Sequence, residues 1–504
     1  MKLILQYFFE FKVLESLRLE CVEYAGINSE LSKISEDLNR LVSFLQKLKK
    51  SFSGAEDSGL KVLVVGGGPV GLMYSIHSRQ KTRNVHLYEK RKTYVRNVWF
   101  DVSNRPWSVA LDTLKAWGLF EHAQIQFYDH TNFLEIITMR AKILEKFLSK
   151  VATFLSVDLH YGTEFVELAQ RKARFVDGGN SVEIPFDLMV AADGADSKVR
   201  KQLGLSYLPQ TDFTVFDKQI SVNGIKQTTI ILSFKSEEGL CPKIAKKKML
   251  PNGVTSVFMR FYFGHCHMQV LLDRSIGDKV YDAFKSKGQI DWNLICQLTN
   301  QIFEKKVHSK EDMMDMLVYD EQGKLDINVF NIVIKKIEKS TVILEGEGKF
   351  SVVTFAGDAT ITAHYRLGIG INNAFISCLN YNHFLSELCI LYDRGEAAFK
   401  NGTGLSKAIE GKIGADERRM RDMVQTELST IFLESYCGCK IHHSTHISVW
   451  PVETESVLAR NEESRLRFSI SQEVSLNQMG KTPLSITSFE ELLENCEYLK
   501  DKQN

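Results

Sequence analysis

The chain has 504 residues, 44% of them hydrophobic and 25% charged, and its formal net charge is +1. That balance is ordinary for a soluble globular protein large enough for two or three domains, and the lack of a global field makes nucleic acid and anionic membrane poor partners. Nine cysteines without regular spacing suggest reduced thiols in an intracellular, cytoplasmic protein and argue against a disulfide scaffold.

The first residues, MKLILQYFFEFKVLESL, are apolar but interrupted by Glu10, Lys12 and Glu15, with no small-residue cleavage pattern after them. They read as helix and not as a signal peptide. Ile27, Leu31, Ile34, Leu38, Leu41, Leu45 and Leu48 alternate by four and three. That spacing puts one apolar seam along a helix, suited to docking on the body of the protein or to helix-mediated association through residues 27–48. SFSGAEDSG then reads as a polar linker, so residues 1–55 form a helical N-terminal segment. No stretch approaches the roughly eighteen uninterrupted apolar residues of a membrane span.

The pattern changes at LKVLVVG, a short continuous apolar run expected of a strand buried on both faces. GGGPVGLMYSIHSRQ turns into a helix, and NVHLYEK returns as a second strand. This strand-turn-helix-strand unit begins a doubly wound sheet. Helices are expected at Pro106–Trp117 and in MRAKILEKFLSKVATFL, followed by short strands in DLHYGTEFVEL, ARFV, SVEI and FDLMVAADG. From about Ser206 to Lys349 a period of two takes over, in TTIILSFK, TSVFMRFYF and HMQVLLD. That suits an antiparallel sheet with one covered face. FSVVTFAGD reads as a strand rejoining the first sheet. The chain after Tyr381 reads as helical to about Tyr436, and the polar last fifty or so residues as partly disordered.

Gly66, Gly68 and Gly71 fit G-x-G-x-x-G between a strand and a helix, with Glu89 at the end of the next strand. The first glycine permits a sharp turn, the second lets backbone approach a pyrophosphate at a helix N-terminus, and the third allows close helix–strand packing. Glu89 would accept hydrogen bonds from ribose hydroxyls and repel a 2′-phosphate, which favours FAD or NAD; the turn alone does not separate the two. Two further motifs follow: Asp193-Gly194 in VAADGADSKVRKQLG, and Gly357-Asp358 with Gly368-x-Gly370 in FAGDATITAHYRLGIGINNAF.

Taken in order and separation, the three pieces resemble the signatures of class A flavoprotein monooxygenases, the family of p-hydroxybenzoate hydroxylase, over roughly Leu60 to Leu385. The resemblance implies FAD as cofactor, NADPH or NADH as reductant, and oxygen transfer through a flavin C4a-hydroperoxide. It places Gly66, Gly68, Gly71 and Glu89 at the adenosine end. Asp358 falls at the ribityl chain, Gly368, Gly370 and Asn372 beside the flavin ring, Asp193 near the pyrophosphate, and Arg140 against FAD. Where the family commonly has proline, Tyr365 and Arg366 stand, two candidates for a place near the ring. That departure, the EKR string ending at Arg91 and the Arg96-Asn97-Val98 stretch resemble MICAL-type monooxygenases, which oxidise actin methionines; Arg91 joins the cofactor-binding set on this ground. The substrate implied is therefore a small molecule or a protein methionine.

The expected α/β architecture is an FAD-binding sheet of the doubly wound, glutathione-reductase type, in two parts at 56–205 and 350–390. An antiparallel substrate domain is inserted at 206–349, and a helical C-terminal region follows at 391–504. Two other functions share this fold: an FAD-binding regulatory protein that has lost turnover, and an FAD-dependent reductase of an isoprenoid lipid. No disulfide-reductase C-x₄-C, halogenase W-x-W-x-I-P or amine-oxidase GGR string is present in the expected places. CGCKIHHSTH (Cys437, Cys439, His442, His443, His446) matches no common zinc module, and in GHCHM (His265, Cys266, His267) two histidines share one strand face but read as structural; no metal is expected.

Overall fold

The computed structural model describes residues 57–96, 98–103, 126–130, 134–209, 212–215, 218–221, 226–235, 253–262, 265–303, 307–319, 325–346, 349–362, 369–393 and 403–435, with isolated residues and short pieces elsewhere. Nearly all of the 27–48 seam, most of the expected Pro106–Trp117 helix, Tyr365, Arg366, Gly368, the CGCKIHH segment and most of the tail lie outside the described residues.

The described residues fall into two compact units. One comprises the chain up to Leu208 together with Lys336–Thr362 and Gly368–Met420; the other includes Pro209–Lys335. In the first unit the run VLVV is β1 (Val62–Val65), and all four of its side chains are buried. Helix α1 (Pro69–Arg79) follows, with proline in its first turn, where a missing N–H costs no hydrogen bond. Then come β2 (Val85–Glu89), α2 (Ala141–Phe154), β3 (Asp158–Tyr161), β4 (Leu188–Ala191), the hairpin β5 (Thr341–Gly346) and β6 (Lys349–Phe355), and α3 (Ile369–Asp393). The strands lie in the order β5-β6-β4-β1-β2-β3. Five are parallel, and β5 pairs antiparallel with β6 at one edge.

Alternation along these strands divides the core between two faces. Val62, Val64, Leu87, Leu188, Val190 and Val352 pack with Leu72 and Ile76 of α1, Leu144, Leu148 and Val151 of α2, and Phe375, Tyr381 and Leu385 of α3. Leu63, Val65, Met189, Ala191, Val353 and Phe355 face the other way, against Phe165, Ala173 and Phe175. The last three belong to an antiparallel meander of strands Glu164–Ala169, Lys172–Asp177 and Asn180–Pro185. Helices thus cover one face of the parallel sheet and a small sheet covers the other. Truncating a wholly buried leucine such as Leu72 to alanine is expected to cost about 2–5 kcal/mol in such a core.

In the second unit, strands Lys226–Lys235, Val254–Tyr262, His265–Leu272 and Ile327–Val333 form an antiparallel sheet. Ile230, Leu232, Phe234, Met268 and Val270 supply one face, packed with Leu294, Ile295 and Leu298 of the helix Trp292–Phe303. The alternation predicts a single covered face, but Thr229, Ile231, Ser233, His267 and Gln269 of the opposite face are buried as well. Hydrogen bonds make this tolerable for the polar members. Ser233, for instance, donates from Oγ to Asp326 Oδ2 at 2.8 Å.

Candidate FAD-binding site

At the C-terminal end of β1 the backbone turns on Gly66, whose φ of +103° is open to glycine and strained for other residues. A Cβ there would also strike the carbonyl oxygen of Ala192, just beyond β4. Gly71 is required for a different reason: a Cβ on it would strike the carbonyl oxygen of Gly66. Gly68 differs from both. It is the N-cap of α1 in an extended conformation, no side chain caps the helix there, and a Cβ on it would meet nothing within 4 Å. The first-turn N–H groups of α1 and the positive end of its dipole thus stand beside open space, the arrangement that accepts a phosphate.

Glu89 ends β2 and is buried. Its Oε2 accepts from the Gly67 N–H at 2.7 Å and its Oε1 from the Arg91 N–H at 2.9 Å, with the Arg91 guanidinium 3.7 Å from Oε1. These bonds fix the carboxylate against the glycine turn. A carboxylate has about four lone-pair directions, so acceptor capacity remains for ribose hydroxyls.

The two later motifs reach the same edge of the sheet. Asp193 adjoins Gly66, whose Cβ would lie 3.0 Å from the Asp193 Cα. Its Oδ2 accepts from the Lys198 and Val199 N–H groups at 2.7 and 3.3 Å, the first two of the short helix Lys198–Gln202 whose N-cap is Ser197. Its Oδ1 is buried and has no partner, and burial raises its carboxyl against those bonds. Ala356 N–H donates to the Ala191 carbonyl at 2.9 Å, which brings the end of β6 beside the end of β4. Gly357 then packs on α1, where a Cβ on it would approach Val70 Cγ2 to 2.9 Å. Asp358 follows in a single 3₁₀ turn that Tyr207 ties down by donating to its carbonyl at 3.1 Å. The Asp358 side chain is exposed, yet surrounding protein raises its carboxyl above the usual range while Arg96 opposes the rise.

Of the remaining residues in the sequence-derived set, Gly370 and buried Asn372 lie in the first turn of α3, and Arg140 is the N-cap residue of α2. Tyr365, Arg366 and Gly368 fall outside the described residues. Two further groups come from outside the set. The Arg96 carbonyl accepts from the Lys142 N–H at 3.0 Å, and its guanidinium lies 3.6 Å from Glu145 Oε1. Glu145 is buried on α2 with neither carboxylate oxygen hydrogen-bonded. Burial pushes its pKa up to about 7 against the pull of Arg96 and Arg91. Its signal in the sequence was a carboxylate on the apolar face of an amphipathic helix, among Ala141, Leu144 and Leu148.

The GHCHM motif yields no nucleophile. Ser233 Oγ directs its proton to Asp326 and therefore accepts from His267 Nδ1 at 3.2 Å, the reverse of what a serine nucleophile needs. Burial pushes the Cys266 thiol up.

No protein-family profile matches this chain. Individual proteins do. The chain is 29% identical over 188 residues to the FAD-dependent monooxygenase notI' of Aspergillus versicolor, covering 32% of this chain and 42% of that protein. It is 22% identical over 403 residues to the [F-actin]-monooxygenase MICAL1 of Mus musculus, covering 71% of this chain and 36% of that protein. The chain resembles FAD-dependent monooxygenases. It spans less than half the length of these curated relatives. For the fold, the flavin-dependent halogenase CmlS superposes with a TM-score of 0.50 at 15% identity, over 87% of this chain and 70% of that one. The residues present also fit FAD, the cofactor in the name of the notI' relative: a glycine turn open at Gly68 and a carboxylate held at Glu89, with the Asp193 and Gly357-Asp358 turns at the same end of the sheet. Among the described residues no helix is long and apolar enough to cross a membrane.

Proposed function

We propose that this chain is an FAD-dependent monooxygenase that draws electrons from NADPH or NADH and transfers one atom of O₂ to a small molecule or to a protein methionine. The observation that carries the reading is the meeting of three glycine-bearing turns, Gly66 against Asp193 and Gly357 against Val70, from positions nearly three hundred residues apart in the chain. FAD supplies the redox and oxygen chemistry when bound. The chain supplies the rest. The α1 N-terminus at Gly68 holds the pyrophosphate, and Glu89 accepts from the adenosine ribose with Arg91 beside it. Asp193 stands near the pyrophosphate, Asp358 accepts from the ribityl hydroxyls, and Arg140 contacts the cofactor. Gly370 and Asn372 place the α3 N-terminus toward the ring, where a helix dipole favours negative charge. Tyr365, Arg366 and Gly368 complete the ring's surroundings. The 71% of this chain that aligns with MICAL1 supports the protein-methionine alternative, and the notI' match supports the small-molecule one. The reading expects a cytoplasmic enzyme.

The test is an absorption spectrum of the purified chain before and after NADPH, in air. A flavin spectrum that bleaches on addition and recovers with peroxide release supports the proposal. A colourless protein that takes up no added FAD overturns it. Retained FAD that NADPH and NADH never reduce transfers the chain to the binding or regulatory class.

A further inference from the structure

A second cluster lies on the same sheet, away from the glycine turns. In the parallel pair β2–β3, His86 stands opposite Asp158 and Tyr88 opposite His160, so the four side chains share one face. His86 Nδ1 lies 2.9 Å and His160 Nε2 3.1 Å from the same oxygen, Asp158 Oδ2. The three donor atoms all lie within 4.8 Å of one another. Glu89, which faces the cofactor site, is three residues further along β2, about 10 Å away at strand rise.

The hydrogen bonds around the cluster point to what it holds. His86 Nε2 is 2.9 Å from Asn84 Oδ1, an acceptor, so Nε2 carries the proton. In the neutral ring Nδ1 then presents a lone pair to a carboxylate oxygen. His160 Nε2 is likewise sheltered from water and has no hydrogen-bond partner of good geometry. Its ring is held in place by stacking on Tyr88, centroids 4.3 Å apart. Two ring nitrogens and a carboxylate oxygen crowded together need a proton or a cation between them, and a metal ion would serve all three atoms at once. Tetrahedral zinc with bonds of about 2.0–2.2 Å separates its ligands by roughly 3.3 Å; slight opening of the 2.9 and 3.1 Å contacts reaches that for the two His–Asp pairs, and the two ring nitrogens lie within 4.8 Å of each other, so that any further approach is a small side-chain adjustment. An imidazole N–H bonded to a side-chain oxygen is also the usual outer-shell support of a zinc-bound histidine. His86 and Asp158 line a cleft of about 380 Å³ with Asp57 and Arg83, leaving room for a water or anion as fourth ligand.

We propose that His86 Nδ1, His160 Nε2 and Asp158 Oδ2 form a divalent-metal site that takes Zn²⁺, with Asn84 as its outer-shell support, clamping the edge strand β3 to β2. Any proton on His86 Nδ1 leaves to solvent as the metal binds. The site is independent of the FAD reading.

The test titrates the full chain, stripped with EDTA and returned to metal-free buffer, with Zn²⁺ and then with Co²⁺ as a spectroscopic stand-in. One equivalent should bind, and the Co²⁺ spectrum should lack thiolate charge-transfer bands. His86→Gln and His160→Gln should each weaken binding at least tenfold, and Asn84→Ala by about tenfold. All three positions are partly exposed, and circular dichroism checks that each variant folds. A thiolate spectrum, or affinity unchanged in both histidine variants, would place the metal elsewhere and overturn the proposal. So would the absence of binding in a folded wild-type chain, which would leave His86–Asp158 as a plain ion pair.

Discussion

At the scale of single residues, the glycines of the first turn separate a folding role from a binding role. Gly71 has no room for a methyl group, because its Cβ would collide with the backbone of Gly66, which has no other place to go. Gly68 has room, with φ at −66° and nothing nearby. Gly71→Ala should therefore reduce stability, by several kcal/mol on the scale of overpacked sites, or abolish soluble expression. Gly68→Ala should keep the apoprotein's stability within about 1 kcal/mol while lowering FAD affinity at least tenfold, because the methyl group enters the anion cradle. Denaturant unfolding and flavin-fluorescence titration of the two variants check this; equal FAD affinity in Gly68→Ala and wild type would remove the cradle from the site. Glu145 gives a pH signature. Its folded pKa of about 7 lies above the ordinary value of 4.5, so the folded state holds a proton that the unfolded state has released. Stability from this group is complete below pH 4.5 and is lost as pH rises to about 7, by ~3 kcal/mol for a shift of this size. Against Glu145→Gln, the wild type should lose that much over the interval, and parallel stability–pH curves would contradict the assignment.

At the scale of elements, the pairing of α1 with α3 carries the first unit's helical layer. Ser78 Oγ donates to the Tyr74 carbonyl at 2.7 Å and therefore accepts from Tyr381 OH at 2.6 Å, while Tyr74 and Tyr381 pack with centroids 4.5 Å apart. Tyr381→Phe leaves Ser78 its acceptor and orphans nothing, so unfolding experiments should show a loss of only about 0.5–1.5 kcal/mol. Tyr381→Ala should cost about 3–5 kcal/mol. Asn382 Nδ2 lies 2.7 Å from His77 Nδ1, and burial lowers the His77 pKa to about 4 from 6.5. Here the sign is opposite to that of Glu145. The unfolded chain binds the proton first, so stability falls as pH drops from 6.5 toward 4, and His77→Gln should flatten that limb. Much of this layer was legible in advance, because VLVV, LMVA and the G-x-G-x-x-G turn are local patterns with local causes. The β5–β6 hairpin was not. TVILEG continues the period of two of the preceding strands, and only pairing with Lys349–Phe355, itself paired to β4, shows that the chain is already back in the first sheet. The meander over the second face was legible as strands and not as a layer, since its antiparallel alternation does not say what its apolar side covers.

At the scale of the whole molecule, the candidate site exists only because three remote segments end at one sheet edge. Their residue types could be read from the sequence, since each motif has its own turn chemistry at Gly66, Gly194 and Gly357. Glu145 could not, and Arg96 only as part of the Arg96-Asn97-Val98 stretch, because their importance comes from whom they meet: a guanidinium and a carboxylate 3.6 Å apart, with the same guanidinium acting on the Asp358 carboxyl. This gives the assembly a measurable consequence. A cofactor that touches all three turns must stabilise them together, whereas a nucleotide bound at the first turn alone would leave the others unchanged. By linkage, ligand at about a hundred times its Kd adds about 2.7 kcal/mol to every opening that requires its release, a slowing of about a hundredfold. Hydrogen exchange of the chain with and without FAD should therefore show amides in 66–72, 193–200 and 356–360 slowed by a common factor of that order, with the antiparallel strands of the second unit changing much less. AMP provides the contrast, since it reaches only the adenosine end and should protect 66–72 and the Glu89 turn alone. If FAD gave the same limited footprint as AMP, the Gly357-Asp358 turn would be a structural prop for α1, and the cofactor would have to lie along a different path.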